Sequence, residues 1–132
     1  MSNADTVHDI YAAFGRGDIP AILAKVADDV EWEYDNGPTE VSWLQTRHGR
    51  DGVAEFFVSL GAMQIHRFVP KAVLQGDGLV VGVIDIDFTV IATGKRVHEF
   101  DEVHVWRFNE AGQVKRFRHR ADTLKQTLAF RG

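Results

Sequence analysis

The chain has 132 residues, no cysteine and a net charge of −4. That length suits one ordinary domain, which buries roughly two-thirds of its unfolded surface without staples. The missing thiols exclude disulfides, thiolate metal sites and cysteine nucleophiles, and the acidic balance argues against phosphate-driven binding of nucleic acid. No apolar run approaches the ~20 residues of a membrane helix, and residues 1–9 contain no signal-peptide core. A cytoplasmic protein with no nucleic-acid and no membrane partner is expected.

Val7, Ile10, Tyr11 and Phe14 recur at i, i+3, i+4 and i+7, which predicts an amphipathic helix. Ser2 and Asp5 resemble a capping box at its start, with Asp a weaker partner there than Glu, and Gly15 and Gly17 stop it. Asp18 and Pro20 open a second helix with Ile19, Ile22, Leu23 and Val26 as its stripe. Val30, Trp32 and Tyr34 alternate with Glu31, Glu33 and Asp35, the period of a half-buried strand. Residues 35–49 form a long irregular stretch of a kind that is often functional. Trp43 within it either closes a cavity or pins the loop. A third helix carries Val53, Phe56, Phe57 and Leu60 and stops at Gly61.

Long strands follow near 65–75, 79–91, 96–108 and 113–121, separated by hairpin turns at Gly76-Asp77-Gly78, Thr93-Gly94 and residues 109–112. Residues 123–130 predict a closing helix with Asp122 as its cap, a role we prefer to catalysis. Helices segregated from a mostly antiparallel sheet make one α+β domain spanning residues 1–132. A strongly bent sheet around three N-terminal helices leaves a cavity open at one end.

Several strings carry a family resemblance: Ile10 to Ile19 (IYAAFGRGDI), Val26 to Trp32 (VADDVEW), His48 to Val53 (HGRDGV) and His104 to Phe108 (HVWRF). They resemble the SnoaL-like polyketide cyclases of the nuclear transport factor 2-like superfamily, which includes ketosteroid isomerase and limonene epoxide hydrolase. The resemblance covers nearly the whole chain and implies a cone-shaped α+β barrel holding an apolar ligand, and a homodimer through the outer sheet face. The tyrosine of ketosteroid isomerase falls at Ile10, its base at Tyr34 and its oxyanion-hole aspartate at His104. The catalytic positions of limonene epoxide hydrolase fall near Ile84, Ile86 and His119. Neither set is complete, so neither activity is implied.

Strand parity supplies a separate argument. On 96–108, Phe100, Glu102, His104, Trp106 and Phe108 share one face, and their bulk turns it toward the helices. Glu99, Asp101, Val103, Val105 and Arg107 then face outward. Burying Arg116, Arg118 and Arg120 would be prohibitive, so Phe117 and His119 face inward beside His104. Gly82, Ile84, Ile86, Phe88 and Val90 give an aliphatic wall, with Asp85 and Asp87 outside, where they and the other acids balance the arginines.

The expected ligand contacts are Phe14, Trp32, Tyr34, Phe56, Ile84, Ile86, Trp106 and Phe117. His104 and His119 are the candidate acid/base pair, because an imidazole titrates near ~6.5 and small shifts tune it to neutral pH. Glu102 either orients one imidazole or serves as the base. His98, His104, His119 and Glu102 are metal-ligand types without a metal signature, so neither a metal nor a cofactor is expected. The function expected is cofactor-free isomerase, cyclase or dehydratase chemistry on a small apolar carbonyl compound. The alternatives are a non-catalytic binding protein for a small hydrophobic ligand and a dimerising scaffold with a filled interior.

Overall fold

A computed structural model describes all 132 residues. The elements are α1 (Asn3–Gly15), α2 (Ile19–Leu23), β1 (Val26–Trp32), β2 (Arg47–His48), α3 (Gly49–Ser59), β3 (Met63–Gly76), β4 (Leu79–Val90), β5 (Arg96–Phe108), β6 (Val114–Arg120) and α4 (Thr123–Arg131). Single 3₁₀ turns occupy Ser42–Leu44 and Leu60–Ala62. The caps are those the sequence predicts: Ser2 and Asp5 bond reciprocally, Asp18 accepts from the Ala21 amide, and Asp122 accepts from the Lys125 amide. No helix is long and apolar enough to cross a membrane.

One curved sheet runs in the order β2-β1-β6-β5-β4-β3, with helices against its inner face. All neighbours are antiparallel except β1 and β6, which are parallel. That parallel seam brings Trp32 beside Phe117, and their rings stack at 4.1 Å. In the final hairpin His104 lies opposite His119 and Trp106 opposite Phe117, so both imidazoles share the inner face. The inner face of β4 is apolar as the alternation requires, with Val80, Ile84, Ile86, Phe88 and Val90 all buried.

Two backbone irregularities reverse the expected parity. On β5, Ile84 pairs with Glu102 and Ile86 with Glu99, so Phe100 and Asp101 together oppose the single Asp85. Such a bulge re-aims the side chains before it, and Asp101 takes φ +61° to make it. Phe100, expected inside, is therefore 65% exposed, and Glu99, expected outside, is buried. At the end of β1, Glu33 and Asp35 adopt φ +54° and +63°, a region that L side chains enter rarely. The strand period stops at Trp32. Glu33 turns inward with 0% exposure, while Tyr34 lies outside under the Arg116 guanidinium, 5.3 Å from its ring centre. Tyr34 is thus not a cavity residue.

The outer face pairs its charges differently from the expected lattice. Lys71 takes Asp85 and Asp101, Arg96 takes Asp87, and Arg116 takes Glu31. Arg118 donates to the Tyr34 carbonyl at 2.6 Å. Asp85, Asp87 and Asp101 are occupied by nearer cations, and Arg116 and Arg118 find their partners on the β1 side.

Candidate functional site

A cavity of about 90 Å³ lies between the sheet and the helices. Nine of the expected residues line it: Phe14, Trp32 and Phe56, then Ile86, Trp106 and Phe117, and the polar Glu102, His104 and His119. Two do not. Tyr34 is outside for the reason given above. Ile84 is fully buried in the core, where α1 packs on β4, and does not reach the cavity wall.

The first polar chain begins on α1. Trp106 Nε1 donates to the Tyr11 hydroxyl at 3.1 Å, and that hydroxyl lies 2.9 Å from His104 Nδ1. On the other side of the ring, His104 Nε2 lies 3.1 Å from Glu102 Oε2. A carboxylate only accepts, so Nε2 carries a proton; in the neutral ring Nδ1 then accepts from Tyr11. Both nitrogens of His104 are thereby committed. Burial alone would raise the Glu102 carboxyl, but the bond to His104 and the nearby His119 charge bring it below its ordinary range. Its Oε1 has no partner within the protein. Burial pushes the Tyr11 hydroxyl well above its ordinary pKa, which keeps it a neutral donor.

The second chain depends on the turn that ends β1. Glu33 Oε1 accepts from the His119 backbone amide at 3.0 Å and from the His119 Nδ1, while Glu33 Oε2 accepts from Asn36 Nδ2 at 3.1 Å. Burial would lower the His119 pKa. The Glu33 carboxylate beside it, with weaker help from Glu102 and Glu99, overcomes that and raises it to about 9. His119 is therefore an imidazolium at neutral pH, and its Nε2 has no partner within the protein.

A third network closes the cavity from α4. Glu99 accepts from Gln126 Nε2 at 2.7 Å and from the Asp122 amide at 3.0 Å, and Gln126 Oε1 accepts from Trp43 Nε1 at 2.7 Å. Trp43 thus both lines the cavity and pins the long segment to α4. The Trp32 indole Nε1 is buried without an acceptor. No three His, Asp or Glu side chains converge in a metal-holding group.

Sequence reasoning missed Glu33, Tyr11 and Glu99 as site residues. Tyr11 was legible: it is the one polar-tipped member of the α1 stripe and directly follows Ile10. Glu33 and Glu99 left no signal, because each is turned inward by a positive-φ residue that no glycine announces.

The profile of the SnoaL-like domain matches residues 7–117. The chain belongs to the SnoaL-like family. Among solved structures, this SnoaL-like chain is similar to an NTF2-like protein of unknown function from Burkholderia pseudomallei, at 29% identity, 100% of both chains and a TM-score of 0.84. It shares its fold with TerC co-crystallised with polyporic acid, at 24% identity, 98% of both chains and a TM-score of 0.79. The same holds for a candidate polyketide cyclase from Pseudomonas putida, at 18% identity, 98% of both chains and 0.79. No curated protein matches the sequence.

Proposed function

We propose that this SnoaL-like domain is a cofactor-free enzyme that moves a proton on a small apolar carbonyl compound, in an isomerase, cyclase or dehydratase reaction. The observation that carries this reading is the pairing of an ionised Glu102 with a cationic His119 on one apolar cavity, each with one unpartnered polar atom. A carboxylate with a free oxygen and an imidazolium with a free N–H on one apolar wall supply a proton acceptor and a donor to developing negative charge. Co-crystallisation of TerC with a small molecule supports a ligand in this fold.

In this reading Glu102 Oε1 removes the proton from the carbon beside the ligand carbonyl. The carbonyl oxygen, gaining negative charge, accepts from His119 Nε2, which no other group of the protein engages. Protonated Glu102 then returns its proton to another carbon of the enolate, to the alkoxide formed when the enolate carbon attacks a second carbonyl, or to a β-hydroxyl as it leaves as water. His104 has no free nitrogen, so its part is to orient Glu102, with Tyr11 fixing its tautomer. The base is therefore the carboxylate rather than the imidazole.

Deuterium exchange at the α-carbons of 2-indanone in D₂O, followed by NMR, tests the proposal. Wild-type protein is expected to accelerate exchange, with a plateau that falls as pH passes about 9, where His119 loses its proton. Glu102→Gln should slow exchange about 100-fold or more while leaving the fold intact. Binding of 2-indanone with exchange no faster than in buffer would overturn the enzyme reading in favour of a non-catalytic pocket.

A further inference from the structure

The apolar cavity is small. At about 90 Å³ it is well under the roughly 300–1,000 Å³ of an ordinary ligand pocket, so a ligand of common size extends beyond it. A second hollow of about 370 Å³ has both Glu33 and His119 in its lining. Its walls are the segment after β1, the end of β6 and the start of α4, and they are mostly polar. His119 lines both spaces.

The charges around this cleft are one-sided. Glu33 is its sole carboxylate, and both Glu33 oxygens are taken by His119 and Asn36. Two guanidiniums line the same space. Arg118 is largely buried; its Nη1 donates to the Tyr34 carbonyl, and its Nε is buried with no acceptor in the protein. Asp35, 4.0 Å from Arg118, is 89% exposed and so balances that charge only weakly. Arg120 is exposed and forms no ion pair. A polar hollow with two under-used guanidiniums favours an anionic oxygen group, for which arginine supplies paired, charge-assisted donors.

We propose that the cleft is an anion subsite, in which a carboxylate of the ligand lies against Arg118 and Arg120 while its apolar, carbonyl-bearing part occupies the inner cavity. The inference rests on the reading that the inner cavity takes an apolar carbonyl compound, and it narrows the substrate class to amphipathic keto acids. His119 stands at the junction, where it reaches the carbonyl between the two ends. The specificity is divided: the inner cavity selects the ring or chain, and the two arginines select the acid.

Isothermal titration with 4-oxo-4-phenylbutanoate and its methyl ester tests the assignment, because esterification removes the charge and adds only a methyl group. Wild-type protein should bind the acid at least about tenfold more tightly. Arg120→Gln, an exposed change that leaves the core alone, should remove most of that preference without weakening the ester, and Arg118→Lys should reduce it further. Equal affinity for acid and ester in the wild type overturns the cleft and leaves the inner cavity standing, as does a preference that survives both substitutions. Binding of neither compound overturns the inner-cavity reading together with the cleft.

Discussion

His104 and His119 face each other across one hairpin, with ring centres 6.1 Å apart, yet their surroundings differ in kind. His104 sits in regular strand and is held at both nitrogens, by Tyr11 and Glu102. His119 sits where β6 meets the turn that ends β1, held at one nitrogen by a carboxylate and open at the other. The regular region locks its imidazole; the irregular region charges one and leaves it a free proton. Backbone irregularity is what delivers a buried carboxylate to His119, because a continued β1 would have pointed Glu33 at solvent.

The largest expected effect breaks the His119 side. Glu33→Gln should lower the His119 pKa from about 9 toward or below its ordinary 6.5, read by NMR titration of the ring. It should cost about 3 kcal/mol of stability in denaturant melts, the scale for breaking a buried pair. The pH dependence sharpens the test. The folded value lies above the ordinary one, so the contribution of His119 is complete below about pH 6.5 and is lost as pH rises through about 9. In Glu33→Gln that alkaline loss should vanish, and the alkaline limb of exchange should move down with the ring.

The His104 side should respond more mildly and without a pH shift. Tyr11→Phe leaves His104 Nδ1 and Trp106 Nε1 unpaired and should cost about 1–3 kcal/mol. Exchange should slow while its alkaline limb stays in place. Gly82→Ala reaches the same bond by another route, since a Cβ there would stand 2.1 Å from the Tyr11 hydroxyl. The double variant should cost less than the sum of the two, because both remove one interaction. A shifted alkaline limb in either variant would merge the two histidines into one unit.

The smallest effect checks the boundary of the site. Tyr34→Phe should change stability by no more than about 0.5 kcal/mol and leave exchange and ligand affinity unaltered. Its ring lies under Arg116 on the outer surface, so a loss of ligand affinity would return Tyr34 to the cavity.

Much of the architecture was legible because it repeats. The stripe Val7, Ile10, Tyr11 and Phe14, the caps at Ser2, Asp18 and Asp122, and the alternation along β4 are local patterns, and each appears where its period predicts. The alignment of His104 with His119 was also legible, since the cost of placing three guanidiniums in the apolar interior leaves one choice of face, although Arg118 is largely covered on the other one. The strands alone could not announce Glu33 or Glu99, nor the exposure of Phe100 and the outward turn of Tyr34. Those four depend on single residues at positive φ (Glu33 itself and Asp101), and a side-chain pattern carries no record of such a residue unless it is glycine.

By itself, then, the chain determined its elements, its inner face and the two imidazoles, because hydrophobic periodicity and the penalty on buried charge act on neighbours in sequence. Tertiary structure decided which imidazole is charged, which carboxylate is free and where the second hollow lies. Those depend on contacts between residues as far apart as Glu33 and His119, formed only when β1 closes on β6 and the bulge in β5 turns Glu99 inward.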